Sequence, residues 1–397
     1  MFKTKSILTA ILLSSFIYFE YFNYSYKIVT TIFALYAVYL LFTLNSKQLF
    51  GTGFMIGIFW FWWLSYSFIY YELSYLIPIV LIGIGLLYGI LFYFINLLNN
   101  IFYKIGYIFL LSFIEPFGFN WFKIELPFIN TLIGTSKIEF LIVLIATSIL
   151  IKYLNLYYKR SIVSYTFIII LLSFYNFYNT NTINEPNLKI YKYQTNISQN
   201  EKWKLINKEK IIFDNFKTIQ NAIDNKYQLI IFPETAFPLV LNYQNELYSK
   251  LLEKSKYISI VVGSLYAKDG LYYNSTYLFQ NSGVEVAHKV VLVPFGEAVP
   301  LPQKITNWIN DTFYNGAKDY ETAKEPTTFD IKGTKFRNAI CYEATTDEIY
   351  KKLDTPYVIA TSNNAWFTPS HQPTLQKLLF KYYAKKYNLY ILNVSNE

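Results

Sequence analysis

Glu234, Lys289 and Cys341 each border a short apolar run that reads as a β-strand, and the three side chains together could carry out acyl transfer. Glu234 follows Leu229-Ile230-Ile231-Phe232-Pro233, Lys289 precedes Val290-Val291-Leu292-Val293-Pro294, and Cys341 closes Arg337-Asn338-Ala339-Ile340. A thiol with an ordinary pKa of about 8.5 is mostly protonated at neutral pH, so it needs a base beside it, and a carboxylate serves. A neighbouring ammonium favours the thiolate and can stabilise the oxyanion of a tetrahedral intermediate. Singly, none of the three is diagnostic. A lone cysteine after an apolar strand is more often a buried structural residue, and an isolated Glu or Lys is nearly always a solvated surface charge.

The elements that must position them form an alternating series. Strands are expected at Leu188–Gln194, Gln228–Phe232, Ile258–Ser264, Tyr272–Phe279, Val284–Val290, Asn338–Cys341 and Tyr357–Thr361, with helices near Lys202–Asp224 and Thr374–Lys386. This rhythm predicts α/β layers, which display chemistry at strand ends.

The rest of the chain is different in kind. Of 397 residues, 53% are hydrophobic, 20% aromatic and only 15% charged, too apolar for one soluble domain. Residues 1–178 contain long uncharged runs, so the expected division is a transmembrane domain at 1–180 and a globular domain at 181–397. The boundary falls in the polar stretch Asn179-Thr180-Asn181-Thr182-Ile183-Asn184-Glu185-Pro186. The net charge of +9 comes without an Arg-rich cluster or recognition motif, which argues against a nucleic-acid partner. One cysteine excludes an intramolecular disulfide, and two histidines with one cysteine make no ordinary zinc site; neither metal nor cofactor is expected.

A spanning helix needs roughly 20 apolar residues, and seven segments qualify: about 6–24, 28–45, 50–71, 75–98, 102–118, 137–153 and 161–178. With the N-terminus inside, the inner ends carry Lys3, Lys5, Lys47, Lys104, Lys152, Lys159 and Arg160, against Lys27, Lys123 and Lys137 outside. Cytoplasmic loops hold the excess of basic residues, so residues after 180 are expected outside the cytoplasm. The run Phe59-Trp60-Phe61-Trp62-Trp63 could meet acyl chains, although packing or lipid contact is the commoner use of such rings. Between spans five and six, Trp121 and Phe122 are expected to dip into lipid at the outer interface.

The segments around the three reactive residues resemble the apolipoprotein N-acyltransferase family of the nitrilase superfamily. Phe232-Pro233-Glu234-Thr235-Ala236 is similar to its Glu motif, His288-Lys289 through Pro300 to its Lys motif, and Ile340-Cys341-Tyr342-Glu343 to its nucleophile motif, in the family's order. Gln194 to Gln199 with Lys202-Trp203, Tyr273-Asn274-Ser275, and Ser362 to Phe367 also match.

The resemblance, from about residue 50 to the end, implies a multi-span α-helical membrane domain followed by an extracytoplasmic α/β nitrilase-like domain, an αββα sandwich, at a bacterial cytoplasmic (inner) membrane. It implies a ping-pong reaction. A phospholipid, typically phosphatidylethanolamine, acylates Cys341, and the α-amine of the diacylglyceryl-cysteine of an apolipoprotein takes the acyl chain as an amide. It makes Glu234 the general base, Lys289 the oxyanion stabiliser and Cys341 the nucleophile, with the backbone N–H of Tyr342 completing the oxyanion hole. Glu297 would orient Lys289 or shape the site. Trp203, Tyr342 and Glu343 match positions around substrate, although Trp203 could be a packing residue and Glu343 a structural salt-bridge partner.

Two departures stand out. Gln376 stands where the family usually has a histidine. The chain also stops at Val394-Ser395-Asn396-Glu397, where the family continues through further strands to a last helix, so the reading here is of a sandwich lacking its closing part and an eighth span. Two other functions compete: a membrane-tethered nitrilase-like amidase, in which water takes the acyl group, and a transporter or channel with an incidental outer domain. Glu20 and Glu115 both fall near expected span ends, which leaves no apparent ion path.

Overall fold

A computed structural model describes residues 3–153, 158–178, 183–313 and 319–397. The chain divides into a helical unit, Met1–Asn181 with Ser370–Lys386, and a second unit, Thr182–Pro369 with Tyr387–Glu397. Ser370–Lys386 thus groups with the helices rather than with the chain around it. The expected boundary residues Asn179–Thr182 lie outside the described residues.

The helical unit contains α1 (Thr4–Tyr21), α2 (Lys27–Thr43), α3 (Ser46–Phe61), α4 (Ser67–Tyr70), α5 (Ile77–Tyr93), α6 (Ile101–Leu111), α7 (Lys137–Tyr153) and α8 (Tyr158–Tyr178). Each segment expected to span is helical over most of its length. Among the described residues, three helices, Ser46–Tyr70, Ser74–Asn96 and Ile101–Gly118, are long and apolar enough to cross a membrane. Helix α3 starts on a capping box in which the Asn45 side chain accepts from the Gln48 N–H (3.0 Å) and Gln48 accepts from the Asn45 N–H (3.2 Å). It packs against α5 through small residues. A Cβ on Gly53 would come within 2.3 Å of the Tyr88 carbonyl oxygen, and one on Gly57 within 2.8 Å of that of Ile84. The two backbones meet because neither position carries a side chain, the spacing that small-xxx-small motifs provide.

Trp121 and Phe122 do not dip into lipid as expected: they are only 3% and 1% exposed. Phe122 packs on Trp60, Tyr88 and Phe92, and Trp121 on Trp63. Trp60, Phe61 and Trp63 are likewise buried, so these rings of the 59–63 run pack in the interior of the helical unit, the commoner use of such rings. Phe119, Trp121 and Phe122 join this cluster, whereas Phe117 stays 53% exposed; burying the rings removes more apolar surface from water than an interfacial position would.

The second unit holds β1 (Ile190–Lys192), α9 (Gln199–Lys202), α10 (Leu205–Asp224), β2 (Leu229–Ile231), β3 (Phe237–Val240), α11 (Asn245–Lys254), β4 (Ser259–Lys268), β5 (Leu271–Gln280), β6 (Gly283–His288), α12 (Gln303–Phe313), β7 (Thr328–Ile331), β8 (Thr334–Ile340), β9 (Tyr357–Asn363) and β10 (Tyr390–Asn396). One sheet runs β1-β2-β4-β5-β6, with β3 on β4, and the other β10-β9-β8-β7. Alternation along β2 assigns its faces. Leu229 and Ile231 join Val261, Leu278, Phe336, Ile359 and Val394 in the core between the sheets. Ile230 and Phe232 join Ile219 and Leu251, from α10 and α11, on the opposite face.

Helix α13 (Gln372–Tyr387) lies mostly in the helical unit. There the Trp62 indole donates to His371 Nδ1 at 3.1 Å, Tyr382 donates to Glu125 at 2.9 Å, and Lys381 pairs with Glu20 at 2.6 Å. Gln376, expected in the wall of the substrate site, is buried on this helix.

Candidate active site

The three reactive residues converge within the second unit. Glu234 follows β2, Lys289 follows β6 and Cys341 follows β8, so both sheets contribute one strand end or more. Lys289 Nζ meets Glu297 Oε2 at 2.7 Å. The Asn274 amide donates to Glu234 Oε1 (2.7 Å) and to Glu297 Oε1 (3.0 Å), tying the two carboxylates together. The other Glu234 oxygen accepts the Asn363 N–H at 2.9 Å, and Glu297 Oε2 also accepts the Val293 N–H at 2.9 Å. Asn274 is on β5 and Asn363 ends β9, so two strands hold the carboxylate that follows β2.

Local backbone supports this placement. Thr235 and Cys341 have positive φ, 49° and 55°, a region sparsely used by residues with a Cβ and one that collects at functional sites. Gly263, on β4, lies against Glu234: a Cβ there would come within 2.7 Å of the Glu234 Cα and 2.6 Å of the Thr235 nitrogen. Asn363 is held in turn. Its side chain accepts from Asn396 Nδ2 (2.8 Å) and donates to Gln199 Oε1 (3.0 Å), and Asn396 accepts from Thr195 (2.8 Å) and the Ile197 N–H (2.7 Å).

The charges decide the resting protonation. Burial alone would lower the Lys289 pKa, but Glu297 and Glu234 outweigh it and hold the ammonium above its ordinary range. Burial pushes the Cys341 thiol up to about 12, and the Glu234 and Glu297 charges add to this, against Lys289 and the Asn363 N–H. The balance is physical: one ammonium already faces two carboxylates, so a thiolate would be a third negative charge. Burial and these charges therefore favour the thiol form of Cys341.

The remaining expected residues differ in what they do. Glu297 is paired with Lys289 through Oε2. Glu343 is 0% exposed and spends both oxygens on backbone: Oε2 accepts from Val290 (2.7 Å) and Val291 (3.2 Å), Oε1 from Ile340 (2.7 Å). It thereby brackets the residues after Lys289 to the residue before Cys341, and burial pushes its pKa up to about 7. Tyr342 is buried, whereas Trp203 is 37% exposed, with Lys208 Nζ 5.5 Å from its ring centroid. Asn274, Asn363 and Gly263 carry no reactive group, so sequence reasoning assigned them no role. The first two do lie in the segments Tyr273-Asn274-Ser275 and Ser362 to Phe367 that the resemblance singled out.

Comparison with known proteins accounts for both units. The apolipoprotein N-acyltransferase integral membrane domain matches residues 1–174, and the carbon-nitrogen hydrolase family matches residues 193–396. The chain is 39% identical over 388 residues to the apolipoprotein N-acyltransferase of Wolinella succinogenes, covering 98% of this chain and 92% of that protein. It is 36% identical over 397 residues to that of Campylobacter jejuni, covering 99% and 87%. Among solved structures, an amidase from Nesterenkonia sp. is similar at 12% identity and a TM-score of 0.39, over 54% of this chain and 78% of its own. With an integral membrane region and a carbon-nitrogen hydrolase domain in one polypeptide, the chain belongs to the apolipoprotein N-acyltransferase family.

Proposed function

We propose that the chain moves a fatty acyl group from a membrane phospholipid, phosphatidylethanolamine, through a thioester on Cys341 to the α-amine of a diacylglyceryl-cysteine. The observation that carries this reading is the circuit Glu234–Asn274–Glu297–Lys289, assembled beside the only cysteine. As the thiol sulfur attacks the ester carbonyl, its proton passes to Glu234, so the net charge of the site does not grow. The oxyanion forms against Lys289 Nζ and the Tyr342 N–H. Collapse of the tetrahedral intermediate breaks the ester C–O bond, and Glu234 returns the proton to the departing lysophospholipid oxygen. In the second half the acceptor amine attacks the thioester carbonyl, Glu234 takes the amine proton, and the thiol is regenerated as it leaves.

Purified enzyme exposed to phospholipid is expected to gain one fatty-acyl mass on the peptide containing Cys341, discharged when a diacylglyceryl-cysteinyl peptide is added. Cys341→Ala should gain none, because no other thiol exists. Acyl mass on another residue, or discharge by water as fast as by the acceptor, would overturn the transferase reading.

The second unit lies on the extracytoplasmic side of the cytoplasmic membrane, supported by the basic residues that seven spans put inside. An impermeant cysteine or protease probe should reach residues after 183 only from that side. Reaction from the cytoplasmic side would reject both the orientation and the span count.

A further inference from the structure

One ionisable side chain beside Glu234 takes no part in the steps above. Lys202 ends α9 and is 1% exposed. Its Nζ donates to the main-chain carbonyl of Glu234 at 3.1 Å. An ammonium taken out of water with so few partners is costly unless an opposite charge compensates it, and the charge it faces is that of Glu234. The bonded carbonyl belongs to the Glu234–Thr235 peptide, whose conformation is already constrained: Thr235 has positive φ and Gly263 packs against it. Lys202 thus fixes this peptide from one side, Gly263 from another, while Asn274 and Asn363 hold the carboxylate.

We propose that Lys202 is a positioning residue for Glu234: it clamps the Glu234–Thr235 peptide so that the carboxylate reaches Asn274 and the Asn363 N–H. This rests on Glu234 being the base. The other groups around Glu234 do not duplicate the role. Lys289 is paired with Glu297, which shares Asn274 with Glu234. Cys341 and Tyr320 also face the Glu234 charge, but neither is cationic. On α9, Glu201 pairs with Lys204 at the exposed surface. Burial lowers Lys202 to about 7, opposed by Glu234.

The test is the rate of Cys341 thioester formation from phospholipid, followed by mass in wild type, Lys202→Met, Lys202→Arg and Glu234→Gln, with kcat and KM separated and the folded fraction read from thermal unfolding. A misplacement of about 1 Å in a catalytic site can cost about 10²-fold. Lys202→Met is therefore expected to lower kcat about tenfold or more per folded molecule with the KM for phospholipid unchanged. Lys202→Arg, which can still donate to the Glu234 carbonyl, should recover most of that loss, and Lys202→Gln serves the same comparison if the Met variant does not accumulate. A wild-type kcat in the Met variant, or a fall that only tracks the folded fraction, would overturn the proposal while leaving the base assignment standing. Thioester formation at the wild-type rate by Glu234→Gln would remove the base, and the proposal with it.

Discussion

Lys289→Met is expected to slow thioester formation on Cys341 by at least about 10²–10³, the usual effect of losing one oxyanion donor. Most of the effect is electrostatic. Lys289 is the partner of Glu297 at 2.7 Å, in a site where Glu234 is tied to Glu297 through one amide group. Removing the ammonium leaves the Glu297 carboxylate without its cation, and breaking a buried pair from one side typically costs about 3–5 kcal/mol. The expected signature is thus twofold: a slow thioester step, and a lower temperature of unfolding. Lys289→Arg should restore the charge without the placement, recovering stability more than the rate. Near-normal turnover in Lys289→Met would take this residue out of the mechanism.

Glu343→Leu is expected to cost the most stability of any single change at the site. Its two oxygens accept three backbone N–H groups, those of Val290, Val291 and Ile340. Each donor left buried without a partner costs about 1–3 kcal/mol, so roughly 3 kcal/mol or more is lost, and the segments carrying Lys289 and Cys341 come apart together. Glu343→Gln keeps acceptor capacity on one atom only, and should fall between wild type and Leu in thermal unfolding. The pH dependence carries its own sign. The folded pKa of about 7 lies above the ordinary 4.5, so the folded protein holds a proton that the unfolded chain has released. The contribution of this site to stability is therefore full below about 4.5 and is lost as pH rises through about 7. Glu343→Gln should flatten stability across that window. A Leu variant that unfolds at the wild-type temperature would show that the bracket carries no weight.

The helices of the first unit and most strands of the second were legible because each is a local pattern. Apolar runs of spanning length and the short continuous apolar run Leu229-Ile230-Ile231-Phe232 depend only on neighbours in sequence. Elements without such a pattern were missed. Phe237–Val240 contains Pro238, which lowers any strand reading. Thr328–Ile331 is four residues long and includes Asp330, and α11 and α12 are short helices between stronger signals.

Glu234, Lys289 and Cys341 could be picked out only together with the motifs around them, because each alone is more often a structural or surface residue. What holds them could not. Asn274 lies 40 residues from Glu234, Asn363 lies 129 from it, and Glu343 lies 53 from Val290. The same holds for the burial of Trp121 and Phe122, since an aromatic ring next to a broken helix gains equally from lipid or from other rings until those rings are in place. By itself the sequence determined the membrane helices, the layered strands and the identity of the reactive groups, all set by short-range periodicity and side-chain chemistry. Only the tertiary structure decided which carboxylate faces the ammonium, which amides fix each oxygen, and why the thiol form is favoured, because hydrogen bonds and charges act through space between segments distant along the chain.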